Sequence, residues 1–497
     1  MGARKQEDGE RRSHGERHRT VFEGWDSQMS GGRNLHTAHR GGRADLLHSR
    51  PRVPGQVIRA GAEQNLALAF LFRDAPRPMA SLKKLSVFGL GKLGACMAAT
   101  FAERGFDVLG VDINAEAVRK INAGEAPVDE PLLAEAVGKA RKRLRATTNP
   151  AEAVATDISF FIVPSPSLPD GSFSNEFLMR ALAPIAQAVR KAKKKNHIFV
   201  ISSTTTPGAC RKVIIPMLEK EIGGKCGKDF SFCYNPEFIA IGDVVRGLLS
   251  PDLVLIGESD QRAGDLLEEL YRKYNLNQPR IARMSVTSAE LTKISVNSYI
   301  TAKISFTNQL RMIADRLEDT DIHQILDAIG SDSRIGKKYL RAGLSYGGPC
   351  FPRDNRLVVY TAKEVGLSAP LAEATDAVNE MAKDQLALQA LACTKPGDTV
   401  AVLGMSYRPH TYITEESAGL HIAQSLKRHG CRVVVHDYAS TTKNSPSLLE
   451  FEYLADPAKL KNEKRLKAVL ICCPWDGYRK IKFPKGVKVF DPWGVLA

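Results

Sequence analysis

From residue 82 onward, short apolar runs alternate with amphipathic stretches. Leu85–Phe88 is a short apolar run, followed by glycines and a helical pattern through Arg104. Val108–Val111 reads as the next strand and Ala115–Asn122 as the next helix. Ile158–Val163, Ile198–Ser202 and Leu253–Gly257 are further runs of the length and composition of strands buried on both faces. Strands alternating with helices imply α/β architecture with a parallel, doubly wound sheet. Around Ser288 the period becomes that of a long helix reaching about Leu317, with further helical stretches at Asp321–Ile329, Asn355–Val365 and Leu371–Ala392. Lys395-Pro396-Gly397-Asp398 is a turn cluster. Beyond it, Thr399–Leu403, Arg432–His436, Lys467–Cys472 and Val487–Phe490 read as strands and Ser417–Arg428 as a helix. The expected organisation is a Rossmann-like domain over 81–285, a central helical domain over 286–394 and a second, smaller Rossmann-like domain over 395–497.

Composition changes the picture most at the start. Residues 1–80 hold thirteen Arg, one Lys and nine acids with little periodicity. Such a segment cannot bury a core, and disorder is the expectation. Its acids argue against an organelle transit peptide, and a start at Met79, with the upstream stretch an artefact of gene prediction, is the simpler expectation. The net charge of +15 divides into +5 over 1–80 and +10 spread over the rest. The densest basic run, Arg190 to Lys195, reads as the solvated C-terminal end of a helix, so no nucleic-acid surface is expected. Nine cysteines without paired spacing fit reduced thiols and a cytoplasmic setting. The apolar run Leu66–Phe72 is too short to cross a bilayer, and no membrane partner is expected. No cluster has metal-ligand spacing, so no metal is expected.

Two motifs carry chemistry. Gly89-Leu90-Gly91-Lys92-Leu93-Gly94 is G-x-G-x-x-G between a strand and a helix. Gly89 permits the tight turn, Gly91 lets the backbone approach a pyrophosphate, and Gly94 lets helix and strand pack closely. Asp112 closes the next strand, 18 residues after Gly94. A carboxylate there holds ribose hydroxyls and repels a 2′-phosphate, which favours NAD over NADP. The second motif is Gly343 to Asp354, with Cys350 in a turn fixed by glycine and proline, four residues before Asp354. A thiol beside a hydride acceptor suits oxidation of an alcohol to an acid: the thiol traps the aldehyde, a second hydride leaves, and water opens the thioester. Lys293 and Asn297 share one helix face, and Asn308 returns to it three turns later.

Together the motifs resemble the UDP-glucose/GDP-mannose dehydrogenase family from about Leu82 to the C-terminus. After the glycine motif come Glu130-Pro131, Val163-Pro164-Ser165-Pro166 with Asp170-Gly171, and Ser203-Thr204 with Pro207-Gly208. Asn235-Pro236-Glu237-Phe238, Ala289 to Lys293 with Asn297, and Arg334-Ile335-Gly336 lead to the Cys350 motif. The resemblance implies two Rossmann-like domains joined by a long central helix, a helical dimerisation region and NAD-dependent four-electron oxidation of a nucleotide sugar, UDP-glucose foremost. It further implies Cys350 as nucleophile, Lys293 and Asn297 as oxyanion stabilisers, and Asp354, Glu237 and Thr204 around the hydrolytic water. Either Glu237 or Asp354 serves as base. Pro164, Thr204 and Arg353 join Gly89, Gly91, Lys92, Leu93, Gly94 and Asp112 as implied cofactor contacts. Phe238, Tyr339, Tyr346, Gly347, Tyr407 and Arg408 join Glu237, Lys293 and Asn297 as implied substrate contacts, with Arg334 reaching the site of a neighbouring subunit.

The chain departs from the common family pattern at Ile241, Ala117, Arg353, Ile413, Glu415 and Asp491-Pro492-Trp493. These changes gather on the nucleotide-sugar side and leave substrate identity open. The alternatives are another nucleotide sugar (a UDP-N-acetylhexosamine or GDP-mannose), a one-step hydroxyacid dehydrogenase of the 6-phosphogluconate type, and a sugar-nucleotide-binding protein without turnover.

Overall fold

The computed structural model describes residues 83–239 and 241–496; the expectations for residues 1–80 lie outside them. The fold is α/β with two Rossmann-like sheets. The first sheet has eight strands: β1 (Lys84–Phe88), β2 (Asp107–Val111), β3 (Leu144–Thr147), β4 (Ile158–Phe161), β5 (Ile198–Ile201), β6 (Ser231–Tyr234), β7 (Leu253–Glu258) and β8 (Arg280–Ser285). Their order is β3-β2-β1-β4-β5-β6-β7-β8, parallel except where β7 runs against β6. Apolar clusters cover both faces of this sheet, which explains why β5 is a continuous apolar run and why the one polar residue of β4, Ser159, is buried and bonded to Ser86 and His197. The second sheet is wholly parallel: β9 (Thr399–Leu403), β10 (Arg432–His436), β11 (Glu452–Tyr453), β12 (Leu466–Ile471) and β13 (Lys488–Phe490), in the order β11-β10-β9-β12-β13.

A 29-residue helix, Val286–Ala314, follows β8. Its start is capped by Ser285, whose hydroxyl accepts from the Ser288 amide at 3.3 Å. The helices Phe351–Glu364 and Pro370–Leu391 pack against it. The buried stripe of this central helix is polar: Glu290, Lys293, Asn297, Thr301, Ser305 and Asn308 follow one another at helical spacing, all nearly inaccessible. Buried polar groups cost free energy unless bonded. Ser305 donates to the Thr375 carbonyl and Asn308 to the Leu344 carbonyl, at 2.8 and 2.7 Å. The stripe thus serves as a spine to which loops are fastened.

The basic run at 190–195 is the exposed C-terminal end of the helix Glu176–Lys191, as expected, except at Lys194, which is half-buried. Lys194 turns inward, and its ammonium donates to the carbonyls of Val154 (2.7 Å) and Thr156, capping a 3-10 turn over Pro150–Ala155. Among the described residues, no helix is long and apolar enough to cross a membrane, and no group of three His, Cys, Asp or Glu is arranged to hold a metal.

Candidate active site

The glycine loop leaves β1 at the point where the strand order reverses between β1 and β4, the usual place for a ligand crevice. Gly89 has φ +93°, and its amide donates to the Val111 carbonyl at 2.8 Å. A β-carbon on Gly94 would stand 1.8 Å from the Gly89 carbonyl oxygen, so only glycine lets the helix Lys92–Glu103 come this close. Gly91 instead faces open space, with nothing within 4 Å of a β-carbon built there, and no side chain caps the helix start. Free amides and an open approach fit a pyrophosphate. Asp112 accepts from the amides of Leu90 and Asn114 and keeps a partly exposed carboxylate for a ribose.

The second sheet repeats this design and then blocks it. The Gly404 amide donates to the His436 carbonyl at 2.8 Å, and a β-carbon on Gly419 would lie 2.1 Å from the Gly404 carbonyl oxygen. Its acid, Asp437, is buried and already accepts the amides of Met405, Ser406, Ala439 and Ser440, at 2.7 to 2.9 Å. A carboxylate so committed has little capacity left for ribose hydroxyls. The dinucleotide is therefore assigned to the first sheet.

The thiol sits at the start of the helix Phe351–Glu364, across from the central helix. Pro352 occupies the first turn, where a missing amide hydrogen costs nothing. Cys350 is accessible to solvent, yet protein crowds it. Desolvation and the Asp354 charge raise its pKa above the ordinary thiol value, and Lys293 and Arg353 only partly offset them. In the free protein the surroundings therefore disfavour the thiolate. Asp354 is buried and accepts from the Asn297 amide at 2.6 Å. Burial raises its pKa too, against Lys293 and Asn297. Glu237 is the most displaced carboxyl of the group: burial pushes it up to about 7, opposed by Lys293. The Lys293 ammonium lies 4.9 Å from the centre of the Phe238 ring. Among the described residues it makes no hydrogen bond, so a buried cation acts through its charge on the thiol and on both acids.

Other expected residues fall around this centre. Arg353 donates to the Ser165 carbonyl at 2.9 Å and stacks 4.7 Å from the Phe173 ring, which ties the thiol helix to the turn containing Pro164. The Ser203 hydroxyl bridges the Val163 amide and carbonyl, and Thr204 stands beside it, half-buried. Gly347 and Gly348 allow the thiol loop to meet the second lobe. A β-carbon at Gly347 would be 2.2 Å from the Glu416 carbonyl oxygen, and one at Gly348 would be 2.6 Å from the Tyr407 ring. Arg408 donates to the Tyr407 hydroxyl at 3.1 Å. The Tyr346 hydroxyl is engaged by Asp376, and its ring and that of the half-exposed Tyr339 both face Phe351 edge-on. Arg334 is not brought in: its side chain is 86% exposed and pairs with Asp332 at 2.6 Å.

Glu290 has no expected role in the sequence reading, yet it organises the centre. Wholly buried one turn before Lys293, its carboxylate accepts from the Thr205 hydroxyl (2.9 Å) and from the amides of Gly208 (2.7 Å) and Cys210 (2.9 Å). It locks the loop carrying Thr204 to the helix carrying Lys293. Glu290→Ala would leave three buried donors unpaired and is expected to lower unfolding free energy by about 3 kcal/mol, read by urea denaturation. Glu130 does a similar task, accepting the amides of Gly242 and Val244 at 2.6 and 3.2 Å.

Comparison with known proteins agrees with this geometry. Residues 83–275 match the NAD binding domain of the UDP-glucose/GDP-mannose dehydrogenase family, 287–381 its central domain and 401–497 its UDP binding domain. The chain is 34% identical over 400 residues to a UDP-glucose 6-dehydrogenase of Haloferax volcanii, covering 80% of this chain and 92% of that protein. It is 33% identical over 359 residues to a GDP-mannose 6-dehydrogenase of Pseudomonas putida, covering 71% and 80%. The solved UDP-glucose dehydrogenase of Pyrobaculum islandicum superposes with a TM-score of 0.77 at 33% identity, covering 84% of this chain and 96% of that one. With all three regions matched in order around one cleft, this chain belongs to the UDP-glucose/GDP-mannose dehydrogenase family of NAD-binding nucleotide-sugar dehydrogenases.

Proposed function

We propose that this protein oxidises the 6-hydroxyl of UDP-glucose to the carboxylate of UDP-glucuronate through a covalent intermediate on Cys350. The observation that carries the reading is the convergence of an accessible thiol, the buried carboxyl of Asp354, the half-buried carboxyl of Glu237 and one buried ammonium beside the dinucleotide crevice. The glycine loop and Asp112 would hold NAD, which when bound would supply the hydride acceptor for each of the two oxidations. Lys293, aided by Asn297, stabilises the alkoxide from which the first hydride leaves. The Cys350 sulfur then adds to the aldehyde carbon and its proton passes to a neighbouring carboxylate. Loss of the second hydride leaves a thioester. Water, deprotonated by Glu237 or Asp354, adds to its carbonyl, and the thiolate departs. The balance is one sugar, one water and two NAD+ in, and one carboxylate, two NADH and three protons out, the protons leaving to solvent through the neighbouring carboxyls.

The experiment is to count NADH formed per nucleotide sugar consumed, across UDP-glucose, UDP-N-acetylhexosamines and GDP-mannose. Two NADH per UDP-glucose is the expected result. Two from another sugar would replace the substrate and keep the chemistry. None from any, with nucleotide-sugar binding intact, would leave a binding protein.

Glu237 gives this reading a pH signature. The group must be ionised to accept a proton, and its ionised fraction rises through about pH 7. The rate of acid release is therefore expected to climb through that range and level above it. Glu237→Gln should remove the limb and slow hydrolysis by roughly a hundredfold or more. An unchanged limb in that variant would transfer the base role to Asp354.

The proposal includes a homodimer. Leu291 and Tyr299 are exposed on the central helix, beside a groove of about 560 Å³. A second copy there would cover this apolar face, and Arg334 would reach its partner's substrate. Sedimentation of the purified chain as a monomer would remove this part of the reading.

A further inference from the structure

We infer that Tyr412, carried by the second lobe, is the roof of the dinucleotide site and holds Lys92 in place over it. Lys92 is the first residue of the helix whose open N-terminus faces the pyrophosphate position, directly after Gly91. Its ammonium lies 4.5 Å from the centre of the Tyr412 ring, an attractive cation–π distance. The ring comes from across the cleft, in the segment that follows β9.

Three sets of bonds show that the second lobe, and not the glycine loop, fixes where this ring stands. The Tyr412 carbonyl accepts from the hydroxyls of Ser440 and Ser445, both at 2.9 Å and both from buried residues. Thr414 bonds Ser447 at 3.0 Å. The Tyr407 amide donates to the Ile413 carbonyl at 3.0 Å and closes the loop. The backbone under the ring is thus rigidly part of the second lobe. The same segment reaches the thiol loop, since the Gly348 amide donates to the Glu415 carbonyl at 2.9 Å. One strap therefore touches the cofactor's phosphate loop and the thiol's loop together. A dinucleotide beneath Lys92 leaves only when the ring moves off it, so release is coupled to opening of the second lobe. Lys92 also supplies positive charge next to Gly91, and a cation held by an aromatic face loses less conformational freedom when it pairs with phosphate.

The test is equilibrium and stopped-flow binding of NAD and ADP-ribose to the full chain, with no substrate present. Tyr412→Ala is expected to raise both dissociation constants about three- to fivefold, the size of an exposed cation–π contact, mostly through faster release. Tyr412→Phe keeps the ring and should bind as the wild type does. Lys92→Met should weaken binding on its own, and adding Tyr412→Ala to it should weaken it no further. A structural defect would instead lower the melting temperature and add to the Lys92→Met effect. Wild-type affinity and release rate in Tyr412→Ala, tighter binding in that variant, or fully additive effects in the double variant would each overturn the inference.

Discussion

Cys350→Ser is expected to abolish acid formation, by at least about a thousandfold, while NAD binding measured by titration stays at the wild-type level. Losses of that order or greater follow removal of a nucleophile. The reason lies in the second oxidation. A thiol adds to an aldehyde and holds the carbon tetrahedral with a hydrogen to lose as hydride, and the resulting thioester hydrolyses readily. A serine hydroxyl is far less acidic, and the acids nearby are set too low to ionise it. Cys350 itself is not an activated thiolate in the free protein, because desolvation and Asp354 outweigh Lys293 and Arg353. Its proton must leave as the bond forms, which is why a carboxylate neighbour is part of the proposal. The variant should release at most one NADH per sugar. Two NADH per sugar at the wild-type rate would eliminate the covalent route and favour a direct, hydrate-based oxidation.

Much of this arrangement is legible in the chain, and the parts that are not share a physical cause. The strands β1, β2, β4, β5 and β7 announce themselves because a strand covered on both faces is mostly apolar, and the glycine motif and Asp112 because their spacing is fixed by the turn they build. β8, Arg-Ile-Ala-Arg-Met-Ser, lies at the sheet edge and is only half-buried, so it has no such run. β3, at the other edge, is equally mixed. The thiol helix starts at Phe351, four residues before the expected Asn355, because Pro352 reads as a loop residue until its first-turn position is known. Helical spacing correctly puts Lys293 and Asn297 on one buried face. It does not reveal Glu290, whose partners lie 80 to 85 residues upstream. A carboxylate at helical spacing within the buried stripe was the available signal. Nor does spacing reveal Tyr412, whose value comes from a contact between separate lobes.

Lys293→Ala is expected to reduce kcat by about a hundred- to a thousandfold, the usual loss when one donor to a developing oxyanion is removed. Most buried ammonium groups are held by carboxylates, and their removal mainly destabilises the fold. Lys293 differs, since it is 7% exposed and its close neighbour is the face of Phe238. No hydrogen bond among the described residues consumes its charge, so the charge is available to a substrate oxygen. It also lowers the pKa of Glu237, Asp354 and Cys350 alike, against burial that raises all three. The alanine variant should therefore show a second effect that a simple packing defect would not. The limb of the pH–rate profile near 7 should move to higher pH, because Glu237 would face burial without the opposing cation. Unfolding stability should change little by comparison, since carboxyls with raised pKa values take up protons rather than remain as unpaired charges. Lys293→Arg should recover the pH limb, by restoring the charge, but not the rate, because a planar guanidinium cannot replace a compact ammonium in that space. Unchanged turnover in the alanine variant would remove Lys293 from the chemistry. A lost rate with an unmoved pH limb would confine it to the alkoxide and leave the acids to be set by burial alone.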